Sequence, residues 1–243
     1  MINLERDPKI PGSLQNPEIK KYLNDLEDFK ANIIATKPQV PTSYRTSDLL
    51  KAFDDSFFSK CYLTERKFAN SWAMDVEHFV SKSVDPTKTY DWNNLFPCDH
   101  DANMQKSKKT PQGGYLDPCK DKPESQLIQV LLTLGSSDFK AIDSTDSKSK
   151  NTANLLNEIH NGKPNDLDST KKTASLRDLI NTKHEKVKDI IMEWQDAINK
   201  KDNIREVQSE KLLRTELSRK EAFTMLIRSS PYVRRYLPVE FLD

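Results

Sequence analysis

Several residue types are scarce in this chain, and each scarcity narrows what the protein can be. Five glycines against 13 prolines predict stiff connections rather than flexible linkers. Three cysteines, an odd number, do not form a disulfide framework and are typical of a reducing compartment. No apolar run approaches the roughly 18 residues of a membrane span, and residues 1–7 lack the basic and apolar regions of a secretory signal. We therefore expect a cytoplasmic protein that is neither secreted nor inserted into a membrane.

The chain also has no excess of charge of either sign. Lysine and arginine together number 38 and aspartate and glutamate 37, which leaves a net charge of +1. No global basic field therefore indicates nucleic acid as a partner, and any phosphate-binding surface must come from local clustering. Apolar residues make up 35% and charged residues 31% of the chain, so we expect a lean core in one large domain or in a smaller domain with extensions.

The two ends of the chain have helical patterns. Near the N-terminus, Asn16-Pro17 is typical of a helix start, and the apolar spacing predicts a helix to about Ala35. Thr46 is expected to begin a second helix. We assign residues 1–59 to an N-terminal helical segment.

Helical patterns also fill much of residues 124–243. A short helix is predicted over Asn151–Asn161, whereas the polar segment Ser136–Lys150 looks loose. Two apolar stripes of helical period run from Leu176 to Ile198 and from Ile204 to Leu226, and Pro231 is expected to end the second. The first stripe, with the aromatic residues near the C-terminus, offers more apolar surface than a small core needs, so we predict that this region binds a partner.

The residues that carry chemistry lie between these helical parts. The segments are Asp75-Val76-Glu77-His78, then Asn94-Leu95, then Asn103-Met104-Gln105-Lys106. An acidic residue directly before a histidine, an Asn-Leu pair and an Asn-x-x-Lys sequence, in this order, resemble the motif of HNH nucleases. The resemblance implies a β-hairpin followed by a helix with one metal ion between them. We place two short strands around Ser71–Phe79 and the helix start near Cys98.

Hydrolysis of a phosphodiester needs an activated water, a metal that neutralises charge on the leaving oxygen, and groups that hold the phosphate. By resemblance, His78 would be the general base, and Asn94 would fix the loop that bears it by side-chain to backbone hydrogen bonds. Glu77 and Asn103 would be the metal ligands, and their hard oxygens favour Mg²⁺ or Mn²⁺.

Three further residues have secondary roles in this prediction. Asp75 would share a strand face with Glu77 and is a reserve metal ligand. Lys82 and Lys106 would contact phosphates.

Each of these residues also has an ordinary structural explanation. His78 could be a hydrogen-bonded structural residue, Glu77 an acid on a strand face, and Lys106 part of a solvated basic loop. Asn94 and Asn103 could be plain turn and cap residues.

A wider set of segments resembles one branch of these nucleases, the PtuB type of the Septu anti-phage system, which is also found with retrons. The similar segments are Ile2-x-Leu4-x-Arg6, Val76-Glu77-His78-Phe79, Asp91-Trp92-x-Asn94-Leu95 and Pro118-Cys119-x-Asp121. The resemblance implies a PtuA-type ABC ATPase as partner, DNA as the nucleic acid cleaved, and for some members a retron reverse transcriptase and its DNA. The expected fold is α+β and mostly helical, with a ββα-metal core over residues 60–123 flanked by the two helical segments.

The chain departs from this family at its cysteines. Many members hold a structural zinc with two Cys-x-x-Cys pairs. Here the corresponding segments are Cys61-Tyr62-Leu63-Thr64 and Cys98-Asp99-His100-Asp101, so both second cysteines are missing. We therefore predict that the structural zinc is lost and that packing holds the hairpin instead. The candidate packing residues are Trp72, Phe79, Trp92 and Leu95.

Two other functions stay open at this point. The same chemistry acts on RNA, for example a tRNA, because the metal, base and in-line attack are similar for both polymers. A catalytically inactive HNH fold that serves as a binding module is the other alternative. The neutral net charge predicts that the protein alone binds nucleic acid weakly.

Overall fold

The computed structural model describes residues 1–41 and 44–242. These residues form a mostly helical α+β protein, as the sequence predicts. No helix among them has both the length and the hydrophobicity that crossing a membrane requires. The helices are α1 (Pro17–Lys30), α2 (Ser47–Phe57), α3 (His100–Gln105), α4 (Ser147–Asn161), α5 (Leu167–Lys172), α6 (Ala174–Lys200), α7 (Asn203–Glu216), α8 (Thr224–Ser229) and α9 (Pro231–Tyr236). The strands are β1 (Asp75–His78), β2 (Leu95–Cys98), β3 (Leu127–Leu131) and β4 (Ser137–Ala141).

Both N-terminal helices begin where the sequence predicts. Asn16 and Thr46 are the N-cap residues of α1 and α2. Helix α1 ends at Lys30, however, and not near Ala35. Asn32 has a φ of 60°, which stops a right-handed helix, and Ile33 beyond it is 70% exposed.

Strands β1 and β2 form an antiparallel pair in which Asp75 lies opposite Cys98 and His78 lies opposite Leu95. The prediction that both strands fall within Ser71–Phe79 is therefore wrong. The second strand follows a long connection, residues 79–94, because Leu95 and Cys98 provide the fully buried positions that a core strand needs. Helix α3 follows directly, and the Asp99 side chain accepts a hydrogen bond from the amide of Asp101 at its first turn.

Strands β3 and β4 form a second antiparallel hairpin. The expectation that Ser136–Lys150 is loose is wrong, because Phe139 is buried there and gives β4 an apolar anchor. The side-chain amides of Asn157 and Asn161 on α4 bond to the backbone of Phe139 and Ser137, respectively. Polar residues of a neighbouring helix thus hold the outer edge of a short strand whose own sequence is mostly polar.

The long helix α6 buries Ile180, Val187 and Ile191 of its apolar stripe against the rest of the chain. Most of the stripe predicted to dock a partner therefore packs internally. Helix α7 instead leaves Ile204 at 73% and Val207 at 65% exposure. The second predicted stripe is not one helix, because Leu226 lies in α8. Pro231 begins α9 and does not end a long helix, which fits its ability to occupy a first helical position.

Arg6 reaches from the N-terminal segment into an aromatic cluster. Its guanidinium carbon lies 4.4 Å from the ring centres of Trp92 and Phe96. The guanidinium also donates to the carbonyls of Trp92 at 2.6 Å and Leu95 at 2.9 Å. Of the predicted packing residues, Trp92 and Leu95 are buried, whereas Trp72 is 62% exposed and does not hold the hairpin.

Glu65 is a fully buried carboxylate with two cationic partners. Its oxygens lie 3.0 Å from the amino group of Met1 and 3.6 Å from Lys60 Nζ. Burial by itself would raise the pKa of Glu65, but the two ammonium groups outweigh it and hold the pKa below its usual value. Lys60 also donates to the backbone carbonyls of Arg219 and Glu221, so the cluster reaches the C-terminal helices.

We predict that Glu65→Gln lowers the free energy of unfolding at pH 7 by about 3 kcal/mol, because two buried cations lose their carboxylate. Urea denaturation measures this, with Glu27→Gln on the exposed face of α1 as the matched control. Because the folded pKa of Glu65 is lowered, its stabilisation is present above the unfolded value, about 4.3, and is lost as the pH falls toward the folded pKa. The difference between parent and variant should therefore narrow in acid. Equal stability at pH 7 would contradict this account of the cluster.

Candidate active site

A cleft of about 640 Å³ opens beside β1 and α3. It brings together most of the residues singled out by the sequence, although they come from different elements. Among the residues that line it are Tyr44, Glu77, His78, Phe79, Lys82, Asn103, Lys106, Lys108 and Lys163.

His78 is the last residue of β1 and is 8% exposed. Its Nε2 lies 3.0 Å from the carbonyl oxygen of Thr89. Because a carbonyl only accepts, Nε2 carries the proton and Nδ1 is the free acceptor atom of the neutral ring. Burial lowers the pKa of His78 below its usual value, although the hydrogen bond to Thr89 opposes this. The imidazole is therefore neutral at pH 7, which is the form that accepts a proton. The Tyr44 ring packs edge-on against it at 4.8 Å.

Asn94 lies just before β2 and ties down the connection that follows His78. Its Oδ1 accepts from the amide of Val80 at 2.7 Å. Its Nδ2 donates to the carbonyls of Val80 and Lys88, both at 3.0 Å. These are side-chain to backbone hydrogen bonds of the kind that the family resemblance implies. Asn94 is buried and does not line the cleft, so it positions the loop rather than meeting a reacting group.

Asn103 is held by Asp75, the predicted reserve metal ligand. Its Nδ2 donates to Asp75 Oδ2 at 3.1 Å, which leaves its Oδ1 as the atom available to a cation. His100 Nδ1 also donates to Asp75 Oδ2 at 2.9 Å, and this bond raises the pKa of His100. Asp75 thus orients Asn103, as outer carboxylates often orient metal ligands.

Glu77 and Lys106 form a close ion pair, with Glu77 Oε1 2.6 Å from Lys106 Nζ. The same ammonium donates to the carbonyls of Phe79 at 2.9 Å and His78 at 3.3 Å. Lys106 is 8% exposed and sits neither in a solvated loop nor at the open surface. Its ammonium is occupied by these three oxygens, and its role as a phosphate contact stays a prediction. Burial raises the pKa of Glu77, and the charge of Lys106 opposes that rise.

Three exposed lysines lie at the rim of the cleft. Lys82 was expected there, and Lys108 is one of the lysines after Lys106 that were also expected to contact phosphates, whereas Lys163 was not singled out. Lys163 follows α4 in the C-terminal region, and nothing in its local sequence places it near His78. Only the packing of α4 beside α3 brings it to this position.

The donor atoms of the cleft fit a hard divalent cation. A carboxylate from Glu77 and a carboxamide oxygen from Asn103 are the ligand types that Mg²⁺ and Mn²⁺ prefer. Within residues 1–41 and 44–242, no three His, Cys, Asp or Glu side chains are grouped to share a metal ion. A cation in this cleft would therefore keep several water ligands, as Mg²⁺ usually does.

Cys61 and Cys98 are the two cysteines that remain of the family's zinc-binding pattern, and they face each other in the core. Cys61 Sγ and Cys98 Sγ are 4.0 Å apart, and both residues are buried. The amide of Thr64 donates to Cys61 Sγ at 3.4 Å, at the position where the family pattern has its second cysteine. Burial raises the pKa of the Cys98 thiol, which favours its neutral form.

The fold and the cleft define a mostly helical α+β protein in which a β-hairpin and a short helix hold a polar, lysine-rimmed site. Over 150 residues, the chain is 28% identical to the Septu protein PtuB of Bacillus thuringiensis, and this stretch is 60% of this chain and 53% of that protein. The match thus spans about half the length of the curated relative. No protein-family profile matches the chain, and no solved structure matches it. The comparison supports the PtuB part of the resemblance, and the HNH part stays a prediction.

We predict that Asn94→Ala loosens the loop after His78. Three hydrogen bonds to the backbone are lost, so the free energy of unfolding should fall by about 2–3 kcal/mol. The amide of Val80 should exchange with solvent deuterium faster than in the parent protein. Asn93→Ala, at the exposed neighbouring position, is the matched control and should change neither quantity. Unchanged exchange at Val80 in Asn94→Ala would contradict the role given to Asn94.

Proposed function

We propose that this protein is a metal-dependent HNH endonuclease that hydrolyses phosphodiester bonds of DNA in anti-phage defence. The observation that carries the proposal is the meeting of His78, Glu77 and Asn103 in one lysine-rimmed cleft. The imidazole is held with Nδ1 as its acceptor, as a general base requires. The similarity of the chain to the Septu protein PtuB supports the defence role.

The chemistry starts with a water that loses its proton to His78 Nδ1. The carbonyl of Thr89 keeps the other ring nitrogen protonated, so the ring presents one fixed acceptor. The water oxygen then bonds to phosphorus as the bond from phosphorus to the leaving oxygen breaks. A divalent cation, when bound, neutralises the charge that develops on that leaving oxygen. Glu77 and Asn103 would hold it, and Asp75 fixes the direction of the Asn103 amide.

The rim lysines would guide the substrate to the cleft. Lys82, Lys108 and Lys163 are exposed, and their ammonium groups can meet successive phosphates as point charges. Three such contacts give only weak binding at physiological salt, because each phosphate contact is screened. The net charge of +1 adds no long-range attraction. A partner that supplies further positive surface would therefore be needed for firm binding.

We infer that this partner is a PtuA-type ABC ATPase, in some systems together with a retron reverse transcriptase and its DNA. The support is the sequence resemblance together with exposed apolar side chains on the hairpin of α6 and α7. Met192 is 50%, Ile204 73% and Val207 65% exposed. Exposed apolar side chains on the packed helices α6 and α7 offer contact area to a partner protein.

The two central residues should respond differently to substitution. His78→Ala removes the general base and should lower the rate of plasmid cleavage at least about a hundredfold, without rescue by added Mg²⁺ or Mn²⁺. Asn103→Ala removes a ligand, so a higher concentration of either metal should partly restore its cleavage. Cleavage is measured against metal concentration, with and without the ATPase co-expressed.

His184→Ala is the matched control, because this histidine bonds to Ser230 and lies outside the cleft. It should cleave as the parent does. Normal cleavage by His78→Ala would overturn the nuclease assignment and favour a binding module. Parallel incubation with total RNA decides the substrate, and cleavage of RNA alone would replace DNA by RNA in the proposal.

A further inference from the structure

Lys106 occupies an unusual position for a lysine that follows a short surface helix. Its ammonium is surrounded by three oxygens, namely Glu77 Oε1 at 2.6 Å, the Phe79 carbonyl at 2.9 Å and the His78 carbonyl at 3.3 Å. A buried ammonium with a carboxylate and two carbonyls has all three of its protons satisfied. The lysine therefore has no need of a substrate phosphate to be stable where it is.

The same carboxylate is the charged group that a divalent cation in the cleft would use. While Lys106 neutralises Glu77, a cation gains no net attraction from the pair. The ammonium also repels the cation. Even in a water-like dielectric, the repulsion energy between a unit charge and a divalent ion about 5 Å apart exceeds the free energy that corresponds to a tenfold change in affinity. The uncharged ligand Asn103 offers little attraction at long range.

We propose that Lys106 is a resident counter-ion of Glu77 that competes with the divalent cation and keeps the free protein poor in metal. This inference rests on the proposed function and adds a regulatory step to it. Metal loading requires that the ammonium first leave the carboxylate. Lys106 therefore restrains metal binding in the cleft, and a change that moves its ammonium away from Glu77 activates the site. Lys106 acts through Glu77, so it is a positioning residue and not a catalytic one.

The test is Mn²⁺ binding to chelator-treated protein without nucleic acid, read from the electron paramagnetic resonance signal of free Mn²⁺. Lys106→Met should bind Mn²⁺ at least about tenfold more tightly than the parent. Lys106→Gln, which keeps a donor for the carbonyls, should do the same and serves if the methionine variant folds poorly. Lys106→Arg keeps the charge and should show no gain. Lys109→Met removes an exposed charge from the same loop and should also show none.

A second readout separates competition from simple structural support. Removal of Lys106 leaves Glu77 unpaired, so Lys106→Gln should melt at a lower temperature than the parent without metal. Millimolar Mn²⁺ should raise its melting temperature more than that of the parent, because binding to the folded state stabilises it. A lysine with only a structural role would give equal or weaker Mn²⁺ binding when removed.

The outcomes distinguish the inference from the function on which it rests. If the parent cleaves plasmid with Mn²⁺ but neither neutral variant binds the ion more tightly, the competition is refuted and the nuclease stands. If neither the parent nor either neutral variant binds Mn²⁺ or cleaves, both proposals fall. Tighter Mn²⁺ binding that persists in the double variant Lys106→Gln/Glu77→Gln would also refute the competition, since the ion would then bind away from Glu77.

Discussion

The buried carboxylate of Glu65 is the interaction on which the rest of the structure depends. It binds the amino group of Met1 and Lys60, and its side chain and backbone carbonyl accept the amides of Met225 and Phe223. A charge in a low-dielectric interior is tolerated only with partners on several sides. These partners come from the N-terminal segment, the segment before the β1–β2 hairpin, and the C-terminal helices. The cluster therefore joins three parts of the chain that have little in common in sequence.

The cleft also depends on contacts between separate parts of the chain. Its residues His78 and Glu77 come from β1, Asn103 comes from α3, and one rim lysine, Lys163, comes from the C-terminal region. Helix α4 packs beside α3 and against strand β4. The Asn157 and Asn161 side chains fix it to that strand, and Lys163 lies two residues beyond the helix end. The C-terminal region thus takes part in the cleft as well as offering an exposed surface on α7.

The sequence predicts the parts of this structure that depend on local pattern. The caps at Asn16 and Thr46 and the end of α4 at Gly162 follow from short segments, whereas the hydrogen bonds of Asn94 were expected only from the resemblance to HNH nucleases. The β4 strand escapes prediction because one buried phenylalanine and the asparagines of α4 hold it. The position of Lys106 escapes prediction for a related reason. A lysine beside other lysines looks solvated, and only tertiary structure shows the carboxylate and carbonyls that enclose it.

The central claim is that the cleft holds a divalent cation between Glu77 and Asn103, with His78 as the base. Anomalous scattering from crystals grown at a Mn²⁺ concentration that supports cleavage tests it most directly. The account predicts one manganese peak in the cleft, about 2.2 Å from a carboxylate oxygen of Glu77 and from Asn103 Oδ1, with Lys106 Nζ displaced from Glu77. A cleft without manganese under those conditions, or a peak bound only by other residues, would contradict it.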